Sequence, residues 1–498
     1  MHRPPNGAPP ADFRGGAPAR HPRRAFRPAS IAAIAITLLL LPAQRASADS
    51  DRLIGTVEQV SDESIVLDSG TVVLGPGGRV KGDVTSLRRA KAGHWGEAEG
   101  RWTRRGLFEA SHVEIRRQAP GSSFADGLTE TSLRESAKLD ASDKIYRDAQ
   151  VTEYVRKVGA SLVPEYARSE HTFAFEVIKD PTLNAFALPS GAIYVHTGLL
   201  ARLDNEAQLA AILGHEISHV TQKHGQRQYR ANLAVWIPAQ IGAAVLGVNL
   251  QKRSDSPAYQ IMVGLGLNLG LSAAVNGYGR TMEDQSDRVG LRYAVDAGYE
   301  PRESPEIWDT FNDVYGEEGK IENFFYGNHS TNSVRKQNLS EEIQRHYRDG
   351  GAPASDPNAG AARPPGIVNE EIYQKTMLNL TRDNAVEDFK LKRYHLASRG
   401  FERVLKWRPG DPVAHHYSGR ILLLTDESAD GRDRALQEYL KAVSLAPDYA
   451  EAHRDLGLLY ADLGRRGDAR AHLSRYLELA PPDAKDRKDV ESVLRKMT

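Results

Sequence analysis

Two histidines one helical turn apart, His215 and His219, lie in the most tightly patterned stretch of this chain. Around them Leu209, Ile212, Leu213, Glu216, Ile217 and Val220 recur at three- and four-residue steps, which predicts a helix with an apolar stripe. Asp204 or Asn205 can cap its start, with Glu206 in the first turn. Four residues advance a helix by about 400°, so both imidazoles project from one face. Any fold that accepts this helix must bury its stripe and still seat two imidazoles side by side. That geometry suits a shared Zn²⁺, and Glu216, one step round, can reach the water that the metal activates as general base. The chemistry implied is amide hydrolysis.

Two histidines leave a zinc one protein ligand short of the usual catalytic three. The chain has no cysteine, so a disulfide framework and a thiolate site are both excluded. The candidates for the third ligand are Glu283 and Asp287, four residues apart and hence on one helix face. One can ligate while the other accepts the free N–H of a ligating histidine. Spacing alone does not say which.

At 498 residues there is room for roughly three domains. Residues 1–48 read as an export signal: Arg20, Arg23, Arg24 and Arg27 precede the apolar run Ile31–Leu41, then Pro42 and a small-residue cleavage site ending at Ala48. This segment holds seven Arg, no Lys and one acid, so its removal leaves 58 bases against 64 acids, a net charge of −6. That balance disfavours nucleic acid as a partner. Residues 49–118 show short alternating runs at Leu53–Val60, Ser64–Leu67, Thr71–Leu74, Trp95–Arg101 and Phe108–Ile115, with a turn at Gly75-Pro76-Gly77-Gly78. They predict a small all-β, OB-like barrel, with residues 118–126 as a linker. Residues 129–348 are mainly helical apart from one extended segment that includes Ala192, Ile193, Tyr194 and Val195. The apolar stretches Leu233–Leu250 and Ile261–Val275 are interrupted by Pro238, Gln240, Gly264, Gly266, Asn268 and Gly270; they read as a buried or membrane-facing hairpin and a candidate peripheral membrane contact.

Residues 349–368 form a Gly/Pro-rich linker, and residues 369–498 repeat. Ala397, Phe401 and Pro409 recur as Ala435, Tyr439 and Pro447 and as Ala469, Leu473 and Pro481, at steps of 38 and 34 residues. The second step is the tetratricopeptide period, and about four extra residues at Asp426–Asp430 account for the first. An α-solenoid that binds protein partners is the expected result, with Asp483–Met497 as its capping helix.

Four further signatures bear on the middle segment. Asn184-Ala185-Phe186-Ala187-Leu188-Pro189-Ser190-Gly191 runs on to Val195 and Gly198-Leu199-Leu200; His215–Val220 is followed by His224; Arg280, Glu283, Ser286, Asp287 and Gly290 form a third element; His329 with Arg335 forms a fourth. Together they resemble the HtpX/BepA-type zinc metallopeptidases, a gluzincin family that includes the CAAX prenyl endopeptidases, and with the repeats the chain is most similar to the BepA-like periplasmic subgroup. The resemblance implies an α+β protease fold over residues 129–348 and one zinc per chain, held by His215, His219 and Glu283. It implies Glu216 as general base, Asp287 as an outer carboxylate, His329 as the group that stabilises the oxyanion or fills the open metal position, and Arg335 as the residue orienting a carboxylate. Ser190, Ser286 and Ser330 stand where the family usually has Gly, Ala and Pro.

The expected function is that of a zinc endopeptidase of the periplasm that cleaves misfolded or unassembled polypeptides. Its repeats would recruit substrate or partner, and Ala192–Val195 would pair with an extended substrate by strand addition. The alternative is a chaperone or binding module with little proteolysis.

Overall fold

The computed structural model describes residues 51–61, 63–67, 70–102, 107–117, 122–228, 278–315, 332–347 and 365–497. The expectations placed on residues 1–48, on Leu233–Leu250 and Ile261–Val275, on His329 and on most of the 349–368 linker fall outside them.

Strands β1 (Asp51–Val60), β2 (Ser64–Leu67), β3 (Gly70–Gly82), β4 (Trp95–Trp102) and β5 (Phe108–Arg116) close a barrel in the order β1-β2-β3-β5-β4. Alternating residues point inward, so Leu53, Val57, Ile65, Leu67, Val72, Phe108, Ala110, Val113 and Ile115 fill the interior. Every pairing is antiparallel except that of β3 with β5. Gly75–Gly78, expected as a turn, is instead a bulge inside β3: pairing stops at Leu74 and resumes at Arg79 opposite His112. A Cβ on Gly78 would stand 2.8 Å from the Ala110 carbonyl oxygen, so glycine is what lets the bulge lie against β5.

The chain then forms α1 (Ser122–Asp140), which begins inside the segment expected as linker, followed by α2 (Ala149–Leu162) and α3 (Glu165–Glu170). A three-stranded sheet follows, made of β6 (Ala174–Ile178), β7 (Ala185–Ala187) and β8 (Ala192–His196) in the order β6-β8-β7. This order corrects the assignment of Ala192–Val195 as a substrate-binding strand. β8 is the centre of the sheet, bonded to β6 on one side and β7 on the other. Its backbone edges are already used. Ile193 and Val195 point into the main core, and Tyr194 donates from its hydroxyl to Asp140 at 2.8 Å. Near-continuous burial on both faces is the mark of a central strand.

After α4 (Thr197–Leu200) comes the histidine helix α5 (Glu206–Thr221), capped by Asn205, whose side chain accepts from the Gln208 amide. Among the described residues three more helices follow in this part: α6 (Arg280–Asp296), α7 (Glu303–Tyr315) and α8 (Asn332–His346). Helices α5 and α6 cross almost backbone to backbone. A Cβ on Gly214 would lie 2.6 Å from the Gly290 carbonyl oxygen, and one on Gly290 would lie 2.4 Å from the His215 nitrogen. Two glycines at the crossing bring the side chains of α6 into reach of the histidines.

The remaining helices are α9 (Glu370–Lys390), α10 (Tyr394–Trp407), α11 (Pro412–Thr425), α12 (Ala429–Leu445), α13 (Ala450–Asp462), α14 (Arg466–Leu479) and α15 (Arg487–Lys496). The recurring Ala/aromatic positions fall on α10, α12 and α14 and are buried. Tyr373, Met377 and Leu380 of α9 belong to the same apolar cluster as α5. The Tyr373 hydroxyl donates to the Leu200 carbonyl at 2.7 Å. The first repeat helix is thus an element of the central core. The barrel is tied to α6: Arg292 donates to the Leu67 carbonyl at 2.6 Å and to Glu58 at 3.0 Å. Among the described residues no helix is long and apolar enough to cross a membrane.

Candidate metal centre

The two histidines meet where the sequence spacing put them. His215 Nε2 and His219 Nε2 are 2.9 Å apart, and both rings are buried. From α6, Glu283 Oε2 comes to 3.3 Å from His215 Nε2 and Glu283 Oε1 to 3.7 Å from His219 Nε2. A tetrahedral zinc with bonds of about 2.0–2.1 Å holds its ligand atoms roughly 3.3–3.4 Å from one another. The three side chains therefore fit one such ion. Glu216 offers a further carboxylate oxygen, within 4.8 Å of both imidazoles. Glu283 is itself held: its Oε1 accepts from the Tyr278 amide at 3.2 Å. The Tyr278 ring stacks on His219, centroids 4.1 Å apart and planes 22° from parallel.

Each imidazole is also fixed from behind. Asp287 Oδ1 is 2.9 Å from His215 Nδ1, so that nitrogen carries a proton and, with a cation bound, Nε2 would be the ligating atom. Arg335 grips Asp287 with a two-pronged pair, Nε to Oδ2 at 2.9 Å and Nη2 to Oδ1 at 2.5 Å, and its guanidinium lies 4.1 Å above the Trp308 ring. Behind His219 stands His224, with the two Nδ1 atoms 2.9 Å apart.

Charge in the site follows from these contacts. Burial opposes ionisation of Asp287, but Arg335 and His215 outweigh it and hold the carboxyl well below the usual carboxylate range. Burial disfavours the charged His215 ring, yet its bonds to Asp287 and Glu283 push it up to about 9. Burial pushes Glu216 up to about 7, with a bond from the Ala187 backbone acting in the opposite sense. Burial, and then Arg227, hold His224 far below the usual imidazole value.

Of the residues singled out from sequence, His215, Glu216, His219, Glu283, Asp287 and Arg335 come together here. Ala192, Ile193, Tyr194 and Val195 do not line the centre, and His329 lies outside the described residues. His224, Gln285 and Tyr278 were missed. A continuous helix would carry His224 about 140° away from His219. The helix stops instead: Lys223 adopts a left-handed φ of 53°, and the chain turns helical again at His224.

Comparison with known proteins covers the same segment of the chain. Residues 149–343 match the model of peptidase family M48, and residues 433–464 match a TPR repeat. Residues 149–343 are an M48 peptidase domain. The β-barrel assembly-enhancing protease of Escherichia coli (strain K12) is 29% identical over 180 residues, covering 35% of this chain and 36% of that one. Its namesake from Yersinia pestis is 30% identical over 175 residues, 34% of each chain. The mitochondrial metalloendopeptidase OMA1 of Schizosaccharomyces pombe is 28% identical over 190 residues, 38% of this chain and 52% of that one. The chain thus spans about a third of the length of the assembly-enhancing proteases it matches. In each case the share of this chain that is covered is no larger than the M48 domain.

Proposed function

We propose that this protein is a zinc-dependent endopeptidase of the bacterial cell envelope, acting on misfolded or unassembled polypeptides. The observation that carries this reading is the convergence of His215, His219 and Glu283 at tetrahedral spacing, with a buried carboxyl, Glu216, alongside. A bound zinc ion would supply a Lewis acid that polarises a carbonyl and makes a water acidic near neutral pH. Glu216, raised toward neutrality by burial, would accept the proton of the attacking water and deliver it to the leaving amine. Asp287 would keep His215 in the tautomer that ligates, and Arg335 would keep Asp287 charged and oriented. The strand next to α5 is β7 rather than β8, and its Ala187 backbone already bonds Glu216.

The finer features rest on the same reading. The strand order of the barrel, with its one parallel pair, supports an OB-like fold. The stacked helix pairs α9–α14, capped by α15, support a short solenoid that recruits substrate or partner. Export with cleavage after Ala48 would deliver the chain to the periplasm, and the names of the relatives point to a role in β-barrel assembly. The test is digestion of unfolded casein by the full-length protein. Activity should vanish with a chelator and return with zinc. Protein that holds stoichiometric zinc and leaves casein intact would overturn the enzyme in favour of a binding or chaperone module.

A further inference from the structure

The two ligand histidines are backed by different chemistry. His215 has a carboxylate behind it, whereas His219 has a second imidazole. Two Nδ1 atoms at 2.9 Å can form a hydrogen bond only if one carries the proton and the other a lone pair. The far side of His224 decides which. Its Nε2 lies 3.1 Å from Gln285 Oε1. The amide orientation of Gln285 is set independently: its Nε2 donates to Gln222 Oε1 at 2.8 Å, and its Oε1 also accepts from Arg227 Nη1 at 3.2 Å. Gln285 Oε1 is therefore an acceptor, so His224 Nε2 must carry a proton. A neutral imidazole carries that one proton and no other. That leaves His224 Nδ1 as a lone pair and places the proton of the pair on His219 Nδ1. The His219 Nε2 lone pair is then the one that faces His215 Nε2 and Glu283. Ser286 Oγ stands 3.3 Å from His219 Nδ1 and 3.2 Å from His224 Nδ1, a weaker auxiliary at the same junction.

We propose that His224, locked as its Nε2–H tautomer by Gln285, is a positioning residue whose Nδ1 accepts a hydrogen bond from His219 Nδ1–H and so aims the His219 Nε2 lone pair at the metal. It rests on His219 being a ligand. The break at Lys223 is what makes it possible, because the left-handed residue folds His224 back beneath the last turn of α5. A neutral backing group leaves the His219 imidazole a weaker donor than the carboxylate-backed His215, so the two ligands differ in strength.

The experiment uses the full chain with ¹⁵N-labelled histidine, free of metal and then with zinc added. In the metal-free protein His219 should show a protonated Nδ1, and His224 a bare Nδ1 with a protonated Nε2. A proton on His219 Nε2, or on His224 Nδ1, overturns the proposal whether or not zinc binds. Zinc affinity by competition with a chromophoric chelator supplies the second arm. His224→Leu should weaken binding 10- to 100-fold, the usual scale for such outer partners. His224→Asn, whose amide oxygen can take the place of Nδ1, should stay within about threefold of wild type. Equal losses in the two variants, with metal-free melting unchanged, also overturn the relay. Wild-type protein that shows the expected tautomers but binds no zinc removes both the enzymatic reading and the metal-aiming role of His224.

Discussion

Asp287 Oδ1 lies 2.9 Å from His215 Nδ1, across the ring from the Nε2 that faces His219. Two helices set this pair, one carrying the ring and the other its carboxylate, so metal affinity depends on how α5 and α6 cross. Asp287→Asn keeps an acceptor oxygen but removes the charge that makes the ring a strong donor. Zinc affinity should fall 10- to 100-fold, about 1.4–2.7 kcal/mol, when measured by chelator competition. An unchanged affinity would take Asp287 out of the site.

Glu216 separates binding from turnover. It is buried within 4.8 Å of both imidazoles. Glu216→Gln should hold a full complement of zinc, read by elemental analysis, while casein cleavage falls by a factor of about 100 or more. Loss of metal together with activity would make Glu216 a ligand; retained activity would leave the proton-transfer role without a residue.

The helix crossing gives a test that touches no ligand. A Cβ on Gly290 would meet the His215 nitrogen at 2.4 Å and the Gly214 carbonyl carbon at 2.7 Å. Both are helix backbone and cannot swing aside, so Gly290→Ala must push α6 outward and carry Glu283 and Asp287 with it. A loss of about 1–3 kcal/mol of stability is expected, with weakened zinc binding. Gly467→Ala, in α14 with nothing within 4 Å of the added methyl, is the control and should melt at or above the wild-type temperature. Equal effects of the two changes would mean that the crossing is not what sets the site.

The metal face was readable in the sequence because each of its halves is local. His215, Glu216 and His219 share one helix, Glu283 and Asp287 share another, and a period of 3.6 puts each set on one side without knowledge of the fold. The C-terminal repeat was readable for a similar reason, since a pattern that recurs after 38 and then 34 residues points to recurring helix pairs. What failed were the non-local readings. Ala192–Val195 looks like any apolar strand, and only the pairing of β6 and β7 reveals that both of its edges are taken. Gly75–Gly78 carries the composition of a turn, yet the long-range pairing of β3 with β5 absorbs it as a bulge. The place of His224 behind His219 was not legible because a single left-handed residue, Lys223, breaks the helical count, and lysine gives no warning of that conformation.

Among the repeats, Asp455 links α13 to α11 and carries a pH signature. Its Oδ2 lies 2.8 Å from His416 Nε2, and its Oδ1 accepts from Arg454 Nε at 2.7 Å. Burial works against ionisation, but the bonds to His416 and Arg454 outweigh it and depress the carboxyl below its ordinary value of 3.8. A group with a depressed folded pKa stabilises fully above its unfolded value and loses that contribution as pH falls through the folded one. Asp455→Asn should therefore melt below wild type at pH 7 and at pH 5 by the same margin, about 1–3 kcal/mol, the range for unpairing buried hydrogen-bonding groups. The margin should narrow once the pH drops under about 4, as the wild-type carboxyl takes up its proton. Thermal melts of the full chain at pH 7, 5 and 3, with wild type and variant side by side, read the difference directly. A margin that stays constant down to pH 3 would mean that the Asp455 contacts stabilise through packing rather than through charge.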